Sequence, residues 1–328
     1  MLSRFREVLD QAITQSQTPI HRSFDDPKRR LAIGDYLSLF LLGLANPVAR
    51  TLRGIVAASG LPGVREKMGV QKVSLGSFSE TQHLIDPALL EALFASLAGE
   101  LPDLSALPAK LRTERWMARD SSLFPALPRM AWALYGGGRE GFINNGSPVR
   151  RPPLVPSASS AVRLHVSFDL LKDAPGSIQI TPGKTCERAT LRRETECQPG
   201  GAYIGDRYFG EHYGFFAHLS EKGCRYLIRV IDHGIEPTLE EELPVSAEDA
   251  QSGILRHAWV RLGSKKNRTR SERLRYLWLR GINGQILHLV TNLGPEEFRA
   301  ADAALLYKKR WPFDRLRTCS RWSIFSAG

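Results

Sequence analysis

Residues 202–210 read AYIGDRYFG. Ala202 to Gly205 is an apolar strand that ends on an acid, Asp206, and a Gly-containing turn follows. Residues 115–124, RWMARDSSLF, repeat the form, with Trp116, Met117 and Ala118 leading to Asp120. Two more β-rich runs, VRLHVSFDLL and GSIQITPG, stand between them, bounded by Gly and Pro. Downstream, EHYGFFAHLSEKG reads as a helix closed by Gly223, and CRYLIRVID as another strand. Strands and helices therefore mix here, an α/β pattern. The Gly-, Pro- and Ser-rich stretch from Pro125 to Ser160 reads as a loop or a small substrate-facing insertion, and CERATLRRETE is compatible with a helix.

The first hundred or so residues are helical in pattern. Leu2, Phe5, Val8, Leu9 and Ile13 recur at the period of an amphipathic helix. Tyr36–Ala45 predicts a buried helix behind Gly34 and Asp35, ended by Asn46-Pro47. VARTLRGIVAAS predicts a short helix closed by Gly60. Asp86-Pro87 opens another, with Leu89, Leu90, Leu93, Phe94 and Leu97 as its buried stripe. After the core, residues 232–250 hold seven acids and no Lys or Arg. ILRHAWVRLG, LRYLWLRG and ILHLVTNL then read as strands, and PEEFRAADAALLYKKRW as a helix with Glu296 and Glu297 in its first turn.

The 328 residues are 42% apolar and 24% charged, a globular mixture that excludes disordered and collagen-like chains. The ten-residue apolar run Tyr36–Ala45 is too short to span a bilayer, and the N-terminus has no signal-peptide pattern. Four cysteines without a CxxC suit a reducing compartment, so a cytoplasmic, nucleoid-associated protein is expected. Net charge is +11, and the excess is uneven: Arg261–Gly328 holds 15 basic and 5 acidic residues. Such a basic segment is either a polyanion-binding face, nucleic acid first, or a solvated surface.

A strand-end Asp offers oxygen ligands on a rigid support, which suits Mg²⁺. Two such ions clamp the attacking and leaving oxygens of a phosphodiester. Asp120, Asp206 and Asp314, in basic surroundings, are the candidate ligands. A lone strand-end Asp is more often a turn former, so the three need support from elsewhere in the chain. Competing signals are weak. There is no HExxH, the Gly136–Gly138 run lacks the Lys of a P-loop, and no G-x-S-x-G elbow occurs. His212, His218 and His165 read as structural, and Cys186, Cys197, Cys224 and Cys319 as free thiols.

The segments Leu289–Leu293 and Ala304–Trp311 resemble the DDE transposases of the insertion-sequence-four family. That family carries a Tyr, two residues, an Arg, three residues, a Glu, six residues and a Lys around its third acid. Tyr307 and Arg310 match at that spacing, and RWMARDSSLF and AYIGDRYFG resemble the first- and second-Asp strands. The resemblance runs in order over roughly residues 75 to 317. It implies an α/β fold with a ribonuclease-H-like mixed sheet core, a helical N-terminal region and a β-rich insertion. The implied division is a helical DNA-binding region over 1–110, the first part of the core over 111–230, the insertion over 231–293, and a helical segment with the third acid over 294–328. It further implies Asp120, Asp206 and Asp314 as catalytic ligands of two Mg²⁺ ions, with Mn²⁺ able to substitute. Tyr307, Arg310 and Arg321 would contact DNA, and Lys265, Lys266, Arg268 and Arg270 would hold backbone phosphates. The partners implied are double-stranded DNA, as inverted-repeat transposon ends and target, and a second copy of the chain in a homodimer. Two positions depart from the family: its Glu is Asp314 here, one methylene shorter, and its Lys is Arg321. The family also continues past this point with further helix, so a truncated copy, or one frameshifted near Phe313, is expected. The alternative is an inactive DNA-binding remnant.

Overall fold

Leu9, Ala12 and Ile13 recur at helical spacing along α1 (Leu2–Gln15) and are buried in one apolar core. That core also takes Tyr36, Leu37 and Leu39 from α2 (Ile33–Ala45) and Ile55 from α3 (Leu52–Ser59). Met68 of α4 (Pro62–Met68), Phe78 of α5 (Leu75–Thr81), and Leu89 and Leu93 of α6 (Pro87–Gly99) complete it. The helix α2 begins three residues before the apolar run. A Cβ at Gly34 would fall 2.4 Å from the Asp10 carboxylate, so glycine permits the close approach to α1, and Asp35 takes Arg6 at 2.5 Å. VARTLRGIVAAS is not one helix. Pro47–Ala49 form a separate 3₁₀ turn, and the Thr51 hydroxyl accepts the Gly54 N–H at 3.0 Å to start α3. Asp86 caps α6 as its sequence predicts, accepting the Ala88 N–H at 2.8 Å, but the buried stripe is narrower than expected because Leu90 is exposed.

The structure, a computed structural model, describes residues 2–16, 19–104, 107–126, 160–183, 185, 198–211, 213–231, 236–263, 270–281 and 283–310. Its contacts divide the chain into a unit of Met1–Leu101 with Ser177–Gln179 and a larger unit of Pro102–Gly176 and Ile180–Ser320. The larger unit is built on β1 (Trp116–Ala126), β2 (Ser160–Asp169), β3 (Ala174–Pro182), β4 (Ala202–Gly210) and β5 (Arg225–Val230), with α7 (Tyr213–Glu221) before β5. Then come β6 (Glu236–Leu243), α8 (Ala247–Gln251), β7 (Ile254–Gly263), β8 (Arg270–Arg280), β9 (Ile286–Thr291) and α9 (Ala300–Lys309). All nine strands form one sheet in the order β3-β2-β1-β4-β5-β9-β8-β7-β6. β1 and β2 are antiparallel, whereas β1, β4 and β5 are parallel to one another. This mixed five-strand arrangement is that of a ribonuclease-H-like core.

Alternation along the strands gives the sheet two apolar faces. One carries Trp116, Ala118, Ala202, Ile204, Leu227 and Leu289 and is covered by Ala303, Ala304, Leu306 and Tyr307 of α9. The other carries Tyr203, Ile228, Val230 and Val290 and is covered by Phe215, Phe216 and Leu219 of α7.

The later strands do not make a sheet of their own. β9 pairs with β5, and β8, β7 and β6 follow outward. β6 lies in the acidic stretch, where the sequence shows no strand pattern. Ion pairs hold it: Arg256 to Glu242 at 2.6 Å, Arg261 to Glu240 at 2.6 Å, and Arg273 to Glu240 and Glu241. The helix expected from Pro295 begins only at Ala300. Glu296 and Glu297 lie in the preceding turn, and the first-turn acid is Asp302.

Candidate active site at the carboxyl ends of β1 and β4

From β1 the chain runs outward through β2 and β3, then crosses back to β4 and β5 on the other side of β1. Connections that leave two neighbouring parallel strands in opposite directions open a crevice at their carboxyl ends, and ligands of open α/β sheets bind there. The β1–β4 ladder runs Trp116↔Ala202, Met117↔Tyr203 and Ala118↔Ile204. Continued two residues along each strand, the same register reaches Asp120 and Asp206. Side chains alternate, so both acids share the face of Ala118 and Ile204, the face covered by α9. The paired stretch ends at Ala118 and Ile204, and Asp120 is not at a strand end: β1 runs on past it beside β2 to Ala126, so Asp120 stands mid-strand where the β1–β4 pairing stops.

Asp120 is 7% exposed and accepts the Ser121 N–H at 2.8 Å. Asp206 is half-buried and accepts the Tyr208 N–H at 2.9 Å. The β4 strand does not end on Asp206, as its sequence suggests; it continues to Gly210 around a bulge. Gly205 pairs with Ile228 and Gly210 with Val230, so the four residues Asp206–Phe209 stand opposite Arg229 alone. Glycine is required where the strand returns, because a Cβ at Gly210 would lie 2.0 Å from the Arg229 carbonyl oxygen.

Tyr307 and Arg310 reach this region from the last turn of α9. Tyr307 is 1% exposed. Burial pushes its hydroxyl pKa up, the Arg310 and Arg229 guanidiniums pull it back, and Asp206 adds to the rise, so the phenol stays protonated at neutral pH. Arg310 is buried, with its guanidinium 5.7 Å from the centre of the Tyr307 ring. The fold thus brings together Asp206, Tyr307 and Arg310, and adds Arg229, which sequence reading passed over. Its signal was available: Arg229 falls on the same phase of β5 as the buried Leu227, where a charge is out of place unless it serves a site.

Residues 146–312 match the model of the family described as "Transposase DDE domain". The match covers just over half of the chain. This chain belongs to the DDE transposase family. The part of the DDE domain that matches includes Asp206, Arg229, Tyr307 and Arg310 and leaves Asp120 to the sheet register. Among solved structures the chain is similar to one described as "Mos1 transposase paired-end complex with left transposon end", at 9% identity over 69% of this chain and 77% of that one, with a TM-score of 0.20. A likeness that slight carries no argument. No curated protein matches the chain.

Of the remaining expected residues of this DDE transposase, only Arg270 is described. Asp314 and Arg321 are outside the described residues, as are Lys265, Lys266 and Arg268. The loop carrying those three cations is anchored by Gly263 and by Arg270, which starts β8. In the register β5–β9–β8, Leu227 aligns with Thr291 and Thr291 with Arg275, so Arg270 lies toward the amino ends of β4 and β5, away from the carboxylates. Part of the basic charge counted from Arg261 onward is also neutralised internally, since Arg261, Arg273 and Arg299 are ion-paired. By contrast Arg50, Arg53, Arg65, Lys67 and Lys72, around α3 and α4, are exposed and have no carboxylate partner among the described residues. Among the described residues no three His, Cys, Asp or Glu side chains are grouped to hold a metal ion, and no helix is long and apolar enough to cross a membrane.

Proposed function

We propose that this chain is a DNA transposase of the insertion-sequence-four type, which cuts phosphodiesters at the inverted-repeat ends of its element and joins the freed 3′-hydroxyl to target DNA. The observation that carries this reading is the parallel β1–β4 pairing of a DDE-family chain, which ends at Ala118↔Ile204, two residues short of Asp120 and Asp206. The donor set suits a hard divalent cation: two carboxylates carried by neighbouring strands. Asp120, Asp206 and Asp314 would hold two Mg²⁺ ions, or Mn²⁺ in their place. When bound, such ions acidify a water and stabilise a leaving oxygen. The chain's own groups do the rest. Arg229 and Arg310 present guanidiniums to the scissile phosphate, and burial keeps the Tyr307 hydroxyl neutral, a donor to a phosphate oxygen. Arg321 extends that surface. Lys265, Lys266, Arg268 and Arg270 hold backbone phosphates of the same duplex farther along, and the unpaired cations around α3 and α4 give the helical unit its hold on DNA. The working form is a homodimer on paired ends, in the cytoplasm with the nucleoid.

The test is cleavage of a labelled duplex bearing the element's ends, with Mg²⁺ or Mn²⁺. Metal-dependent nicking at the end, lost in Asp120→Ala and in Asp206→Ala, is expected. Nicking that survives both substitutions overturns the assignment. Asp314 favours a second reading, an inactive remnant that still binds ends, because its carboxylate is one methylene shorter than the family's Glu. In that case Asp314→Glu gains the nicking that the unaltered chain lacks.

A further inference from the structure

The helix α9 brings Tyr307 and Arg310 to Asp206. Its buried side chains are small at its start, Ala300, Ala301, Ala303 and Ala304, and the large ones, Leu306 and Tyr307, come only in its second half. Apolar packing therefore fixes its last turns better than its first. The helix does not cap itself either, since Arg299 at its N-cap makes no side-chain cap bond.

The fixing groups come from α8 and from β8. Asp249 accepts the Ala301 N–H at 2.7 Å, so a carboxylate 52 residues away caps α9. Asp249 is itself immobilised by a reciprocal capping box: its carboxylate accepts the Ser246 N–H at 3.1 Å and its own N–H donates to Ser246 Oγ at 3.1 Å. Arg275, with no exposed surface, donates to the Phe298 carbonyl just ahead of the helix and to His257 Nδ1, 3.1 Å from Nη2. His257 in turn donates from Nε2 to the Pro244 carbonyl at 2.8 Å. At the other end of α9, Lys308 Nζ donates to the Ser252 carbonyl at 2.7 Å.

We propose that Asp249 and Arg275 are positioning residues, which set the axial register of α9 and so determine where Tyr307 and Arg310 stand beside Asp206. Its consequence for cleavage rests on the transposase reading; the clamp on the helix does not. The extension β6–β8 thereby does more than enlarge the sheet: it holds the helix that completes the site.

The experiment compares the full chain with Asp249→Ala, Asp249→Asn and Arg275→Lys. Amide exchange over residues 300–310 is expected to rise about five- to thirtyfold in Asp249→Ala, the effect of losing one helix cap, while β4 and β5 keep their protection. End nicking falls on the order of 100-fold with duplex affinity unchanged, as for a reacting group displaced by about 1 Å. Asp249→Asn, which keeps an oxygen for the Ala301 N–H, recovers most of both. Arg275→Lys keeps the charge but cannot serve Phe298 and His257 together, and it should repeat the Asp249→Ala pattern. Unchanged exchange over 300–310 in Asp249→Ala overturns the clamp. Raised exchange with unchanged nicking overturns its role at the site. If the unaltered chain does not nick, the transposase reading fails by itself and the exchange arm still decides the register.

Discussion

Replacing Gly210 by Ala tests the bulge that presents Asp206. The new Cβ would stand 2.0 Å from the Arg229 carbonyl oxygen and 2.7 Å from Val230 Cα, both backbone atoms that cannot swing aside. Ordinary contact begins at 3.4 Å, so β4 must retreat from β5 by about 1.4 Å. Overpacking of this kind costs roughly 1–3 kcal/mol. In a unit of this size that lowers the midpoint of thermal unfolding by roughly 2–12 °C. Because Arg229 and Asp206 flank the displaced backbone, end nicking should fall on the order of 100-fold. The control is Gly214→Ala, four residues on in α7, where an added Cβ meets nothing within 4 Å and should stabilise the helix by about 0.5–1 kcal/mol. Scanning calorimetry and the duplex-nicking assay read both effects. A Gly210→Ala protein that melts and nicks like the unaltered chain would refute the close approach of β4 to β5, and with it the account of how Asp206 is displayed.

Two further outcomes follow from charge. Arg53→Gln combined with Lys67→Gln should reduce the slope of log affinity against log salt by about 1.8, since each lost phosphate contact removes about 0.9. Arg261→Gln, whose guanidinium is already paired with Glu240, should leave the slope unchanged; equal effects in fluorescence anisotropy would contradict this division of the cations. His257 is held neutral, first by burial and then by the Arg275 charge, so its pKa lies below the ordinary 6.5. The unfolded chain therefore takes up the proton first, and stability is lost as pH falls below about 6.5 toward the folded value. The urea midpoint should drop between about pH 7.5 and pH 5.5, and His257→Gln should flatten that drop. A midpoint with the same pH slope in both proteins would remove His257 from the account.

Most of the sheet was legible because its strands are apolar runs bounded by turns. β1, β4 and β5 read as strands from Trp116, Ile204 and Leu227 and their neighbours, and the two acids stood out against them. What failed to show was non-local. β6 carries Glu240, Glu241 and Glu242 where a strand pattern needs apolar alternation, and its support comes from arginines on β7 and β8. The bulge depends on how near Gly210 comes to β5, which no property of β4 alone records. Arg275 reads as an exposed residue in a half-polar strand, yet it has no exposed surface because Phe298 and His257 complete its bonds. The start of α9 was misplaced because Glu296 and Glu297 suit a first turn, whereas the cap arrives from Asp249.

The charge of β6 also restricts how two copies can meet. A sheet that ends in an open strand can be continued by another molecule's strand. Here the three glutamates are already paired with Arg256, Arg261 and Arg273, so an antiparallel continuation would lay one satisfied charged row along a second and gain no side-chain partner across the seam. Two copies joined there would have only backbone bonds to hold them. The charge thus blunts an edge that the backbone alone would leave open.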